Sequence, residues 1–106
     1  MNLLTMCKKA GKLELGFDSS IEAVKSGKAY LLITASDISP KTLKEINFFA
    51  DKFKGENFDP NKILDIGLTR EDFSEYFKKN IAVMAVCDEG FAKAILKSNK
   101  IKYGEQ

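Results

Sequence analysis

The chain has 106 residues and 44% apolar content, enough for one domain with a core of its own and no need of disulfide or metal staples. Its 17 Lys and Arg against 15 Asp and Glu leave a net charge of only +2, which excludes a protein that grips long duplexes by charge alone. There is no His, so the usual general base and the commonest metal ligand are both missing.

Asn2 to Ala10 reads as a short helix, with Leu3, Leu4 and Cys7 on one face and Gly11 as its stop. Lys12 to Leu15 reads as a short strand. A second helix is expected from Asp18 or Ser19, because Ser19-Ser20-Ile21-Glu22 has the S-x-x-E form of a capping box. Ile21, Ala23 and Val24 face its core side and Gly27 ends it. Tyr30 to Ala35 is a nearly continuous apolar run, the pattern of a strand covered on both faces.

Ser39 and Pro40 then mark the N-cap and first position of a third helix, running to about Phe53. Leu43, Ile46, Phe49, Ala50 and Phe53 mark its buried face, and Gly55 stops it. After a polar loop over 56–62, Ile63 to Ile66 reads as a strand. Thr69 caps the next helix, with Leu68 and Phe73 at the spacing of a hydrophobic staple. Ile81 to Val86 is the longest strand-like run. Asp88 caps the last helix, whose inner face holds Phe91, Ala92, Ile95 and Leu96, and a polar, loosely held tail is expected from Asn99. This alternation predicts an α/β sandwich in a single domain over 1–106, without repeats or linkers.

Enzyme chemistry finds little support. The chain lacks G-x-S-x-G, H-E-x-x-H and a Walker loop, and its seven glycines never form G-x-G-x-x-G. Neighbouring acids such as Glu71-Asp72 and Asp88-Glu89 fall in first helical turns, where they complement the helix dipole. Cys7 and Cys87 lack C-x-x-C spacing, so no cofactor, zinc site or redox pair is expected. Cys87, ahead of a helix start, has two readings: a thiol of lowered pKa or a small buried hydrophobe. No apolar run approaches the roughly 20 residues of a membrane span, and the first residues do not form a signal peptide; a cytoplasmic setting without membrane contact is expected.

Binding is better supported. Gly11 and Gly16 bracket a short strand, and Gly16 leads into a helix start, where free N–H groups and the positive end of the dipole suit phosphate. Lys8, Lys9 and Lys12 lie near Gly16 in sequence, and Lys78 and Lys79 form a second basic group. If both loops lie at one end of the sheet, they flank a common surface. As surface lysines they need no function.

The chain resembles the ribosomal protein L-seven-Ae and L-thirty-e superfamily, and most closely its small bacterial YlxQ-like members. The resemblance is carried by Lys8-Lys9-Ala10-Gly11-Lys12-Leu13, Gly16-Phe17-Asp18, and Lys25-Ser26-Gly27-Lys28-Ala29 leading into Leu31-Leu32-Ile33. It continues through Ala35-Ser36-Asp37-Ile38-Ser39-Pro40-Lys41-Thr42, Ala82-Val83-Met84-Ala85-Val86 and Asp88-Glu89-Gly90-Phe91-Ala92. It implies a three-layer α/β/α sandwich with a four-stranded mixed sheet. It also implies binding of structured RNA of kink-turn or helix–bulge–helix type, ribosomal RNA included, with ribosomal or RNA-processing proteins as further partners and no metal. In the family the contact surface is the start of the second helix plus the loop before the last strand.

Carried over, the RNA-facing positions are Lys9, Lys12, Gly16, Phe17, Asp18, Ser19, Glu22, Asp37, Lys78, Lys79, Asn80 and Ile81. Apolar residues of the second loop would cover an unstacked bulge base. Kink-turn binders hold an Asn, a Glu and, three residues on, a Lys in the first turn; here Asp18, Ser19 and Glu22 stand there. Asp18 accepts but cannot donate as an amide does. Glu22 reverses a charge and repels RNA unless it turns inward to pair with Ser19. Two function classes therefore remain: an RNA-binding protein, and a protein-interaction module of the same fold that has lost kink-turn recognition.

Overall fold

The computed structural model describes residues 2–53 and 62–104, with side chains over 3–53 and 62–98. Nine elements follow in chain order: α1 (Asn2–Lys9), β1 (Leu13–Leu15), α2 (Phe17–Lys25), β2 (Leu31–Thr34), α3 (Pro40–Lys52), β3 (Ile63–Asp65), α4 (Arg70–Phe77), β4 (Val83–Val86) and α5 (Glu89–Gly104). The alternation is the one the sequence predicts. Gly55 and most of the expected polar loop lie outside the described residues. The backbone beyond Asn99 continues as helix to Gly104 instead of leaving as a tail.

The strands form one sheet in the order β1-β4-β2-β3. β4 pairs antiparallel with both β1 and β2, and β3 lies parallel to β2, so the sheet is mixed. Successive side chains of a strand point to opposite faces, and the core divides accordingly. Leu31 and Ile33 of β2, with Met84 and Val86 of β4, join one cluster with Leu4 and Cys7 of α1, Phe73 of α4, and Ala92 and Ile95 of α5. Leu32, Val83 and Ala85 face the other way and meet Ala23 and Val24 of α2 and Ile46 and Ala50 of α3. Helices thus cover both faces, giving the α/β/α sandwich. That explains why β2 and β4 read as unbroken apolar runs. At the sheet's edge, β3 is half-exposed and stops at Asp65, whose carboxylate accepts the Gly67 N–H at 2.8 Å in a tight turn.

Three helix starts form through the side chains expected. Ser39 Oγ accepts the Thr42 N–H at 3.2 Å, with Pro40 in the first position. Thr69 and Asp72 make a reciprocal capping box at 3.1 and 2.9 Å. Asp88 Oδ2 accepts the Phe91 N–H at 2.8 Å. Each such cap contributes about 0.5–2 kcal/mol.

Candidate nucleic-acid interface

Strand register sets what meets at each end of the sheet. Leu15 faces Met84, and Thr34 faces both Val83 and Asp65. The exits of β1, β2 and β3 and the entry to β4 therefore share one end. Backbone bonds lace this end together: the Gly16 N–H to Val83 O at 2.9 Å, Ala35 N–H to Ala82 O at 2.8 Å, and Ser36 N–H to Leu68 O at 2.8 Å. The start of α2 and the loop over 78–82 are neighbours, as a shared surface requires.

Gly16 sits at φ +99° and ψ 167°, a conformation open essentially to glycine. Its carbonyl accepts the Ser20 N–H at 3.0 Å, which makes Gly16 the N-cap and starts α2 at Phe17. The expected capping box of Ser19 and Glu22 is thus not made: both lie inside the helix. Glu22 is exposed instead of turned inward. No side chain caps α2, in contrast to α3, α4 and α5. The first-turn N–H groups of an uncapped helix are unmet by its own backbone and carry about half a positive charge, a natural anion site. A Cβ built on Gly16 would lie 3.8 Å from Ile81 Cγ2, so the helix start and the loop are in van der Waals reach.

The predicted residues distribute unevenly. Asp18 and Glu22 are exposed and Ser19 half-buried along a groove of about 460 Å³ that Glu14, Ala23, Ser26 and Lys28 complete. Three carboxylates against one ammonium make that groove acidic. Phe17 packs partly on the second core cluster and meets Phe49 edge-on at 6.4 Å. Lys78, Lys79 and Asn80 are exposed, with Lys78 in left-handed conformation (φ 56°) where α4 ends.

Four of the expected residues, Ile81, Lys9, Lys12 and Asp37, lie away from the exposed face of this end or are engaged elsewhere. Ile81 is only 5% exposed and belongs to the first core cluster, and it braces the loop against Gly16. Lys9 and Lys12 are exposed at the opposite end of β1, where Lys12 O accepts the Cys87 N–H at 2.8 Å. The three-residue strand between Lys12 and Gly16 spans roughly 13 Å, so these lysines do not cluster beside Gly16.

Asp37 is exposed, but its carboxylate is engaged by the chain itself. Its Oδ1 accepts the Arg70 N–H at 2.9 Å and its Oδ2 lies 3.6 Å from Arg70 Nε, tying the β2–α3 turn to the first turn of α4. The backbone hydrogen bond, with the guanidinium adding to it, holds the Asp37 carboxyl below its usual pKa. A depressed folded pKa gives stability present above the unfolded value and lost as pH falls through the folded one. Asp37→Asn is therefore expected to lower the melting temperature at pH 7, with the gap from wild type closing below about pH 4. A pH-independent gap in thermal melts would refute this role.

The thiols form no reactive centre. Cys7 is fully buried, donates to Lys12 O at 3.3 Å, and has its pKa pushed up to about 11, mainly by burial. Cys87 is half-buried and its pKa is also raised, by burial first and Glu14 second, against the reading of a lowered value. The two belong to clusters on opposite faces of the sheet. Among the described residues no group of three or more His, Cys, Asp or Glu could hold a metal ion. No helix among them is long and apolar enough to cross a membrane.

Residues 1–57, from α1 through α3, match the profile of the Ribosomal protein L7Ae/L30e/S12e/Gadd45 family. The chain belongs to this family. Large ribosomal subunit protein eL30B of Schizosaccharomyces pombe (strain 972 / ATCC 24843) is 29% identical over 89 residues, 82% of this chain and 71% of that protein. A solved Bacillus halodurans protein of unknown function shares the fold at a TM-score of 0.75, with 22% identity over 92% of this chain and 93% of its own. The matched region includes Gly16 and the α2 start; the loop over 78–82 lies outside it and joins the site through the pairing of β4.

Proposed function

We propose that this chain is a non-enzymatic, cytoplasmic RNA-binding protein, folded as one ribosomal-protein-like domain. It receives structured RNA of helix–bulge–helix or kink-turn type across the sheet end that carries Gly16 and residues 78–80. The observation that carries the reading is the uncapped start of α2, opened by a glycine at φ +99° and set against an exposed Lys78-Lys79-Asn80 loop. Crowded phosphates at a bend find N–H donors there, and the loop lysines add charge. Membership of a ribosomal-protein family and likeness to a ribosomal subunit protein support ribosomal RNA as the ligand and ribosomal or RNA-processing proteins as neighbours.

The acidic groove of Glu14, Asp18 and Glu22 favours the second reading, a protein-interaction module that keeps the fold without kink-turn recognition. Calorimetry against a kink-turn RNA and a matched duplex, at low and physiological salt, separates the two. Preference for the kink-turn supports the first; equal or no binding at both salts overturns it. Glu22→Lys is expected to tighten RNA binding several-fold at low salt and to steepen the dependence of log affinity on log salt by about one. Unchanged affinity would place the contact elsewhere.

A further inference from the structure

The outer surface of α2 and α3 carries a row of aromatic rings, of which Phe17 and Phe53 rest partly on the second core cluster while Phe48 stands clear of it. Phe48 is 60% exposed and lies outside both core clusters. It meets Phe49 edge-on at 5.4 Å, and Phe49 stacks on Phe53 at 6.3 Å with 10° between the planes. Phe49 also meets Phe17, the residue directly after Gly16. Two ammonium groups straddle this row. Lys25 Nζ lies 5.7 Å from the Phe49 centroid and 5.5 Å from that of Phe53; Lys52 Nζ lies 5.9 Å from Phe48 and 5.5 Å from Phe53.

We infer that this row is a docking strip for single-stranded RNA, with a base stacked on Phe48 and phosphates on Lys25 and Lys52. Every base has a face that stacks on an aromatic ring, and an ammonium beside each ring supplies the counter-charge for the adjoining phosphate. Charge complementarity selects this occupant. An apolar protein partner would have to desolvate both ammoniums, whereas a polynucleotide brings one anion per residue. With Lys41 and Lys44, the α3 surface and Lys25 offer four cations against Glu45 and Asp51. The row begins at Phe17, the first residue of α2. It does not depend on kink-turn recognition.

The test uses the full chain and two probes: a mixed-sequence single-stranded RNA octamer and a blunt-ended kink-turn RNA, each followed by fluorescence anisotropy at low salt. Wild type is expected to bind the octamer, Phe48→Ala at least about fivefold more weakly, and Phe48→Trp no more weakly than wild type. Lys52→Glu is expected to weaken octamer binding as well. Blunt kink-turn affinity should be unmoved by Phe48→Ala. No octamer binding, or octamer binding indifferent to both Phe48→Ala and Lys52→Glu, overturns the inference. So does sedimentation showing a wild-type dimer that Phe48→Ala dissociates, which would assign the strip to a second copy. Phe48-dependent octamer binding without kink-turn binding would sink the proposed function and leave the strip standing.

Discussion

Phe73→Ala is expected to destabilise the protein by about 3–5 kcal/mol, the loss typical of an excised buried aromatic ring. Phe73 is wholly buried in the first core cluster and heads the fully buried side chains in volume. Leu68, one residue before the Thr69 cap, packs against the same cluster, so the ring also anchors the staple that fixes the entry of α4. A domain of this size has about 5–15 kcal/mol in total, and each kcal/mol lowers the melting temperature by roughly 4–8 °C. Urea titration and calorimetry should show a fall of well over 10 °C. A loss under about 1 kcal/mol would mean that α4 is not held by this ring.

Gly16→Ala is expected to cost about 1–3 kcal/mol, and for a different reason. The space around a new Cβ is adequate, since its nearest neighbour is Ile81 Cγ2 at 3.8 Å. The cost comes from forcing an L-residue to φ +99°. Relaxing that strain would rotate the Gly16 carbonyl away from Ser20 and break the bond from Gly16 N–H to Val83, so the helix start and the 78–82 loop would separate together. Gly11→Ala is the matched control, with φ +73° and open space around the new Cβ, at the far end of β1. Both variants should lose stability. Under the proposed function, only Gly16→Ala should lose RNA affinity beyond what unfolding accounts for; equal losses in a binding assay at matched folded fraction would remove this end of the sheet from the interface.

What was legible in the sequence divides along the range of the interactions involved. Caps at Ser39, Thr69 and Asp88 are local side-chain chemistry, readable within three or four residues, and all three form. The start of α2 differs from the capping-box expectation because its cap is a backbone conformation. Gly16 leaves no side-chain signature, while Ser19 and Glu22 have the spacing of a box that the chain, already helical at Phe17, does not use. The family resemblance makes Ile81 an RNA-facing position at the head of a strand-like run, but its burial depends on where that strand pairs. The Asp37–Arg70 tie spans 33 positions and has no local trace. Lys12 and Gly16 are close in sequence, yet an extended strand carries one to each end of the sheet. Phe48 falls off the Ile46–Ala50–Phe53 face by simple helical periodicity; its exposure was readable, but its neighbour Lys25 comes from another helix.

The sheet order has a consequence for how the chain is made. Among the described residues β1 pairs with β4 alone, and β4 also separates β1 from β2, although it is the last of the described strands to leave the ribosome during synthesis. Until Val83–Val86 emerges, β1 lacks its strand partner and the three earlier strands cannot close into one sheet. Closure is thus a late, non-local event of high contact order. Because the same insertion seats Gly16 against Val83, the two halves of the proposed interface are brought together in that late step.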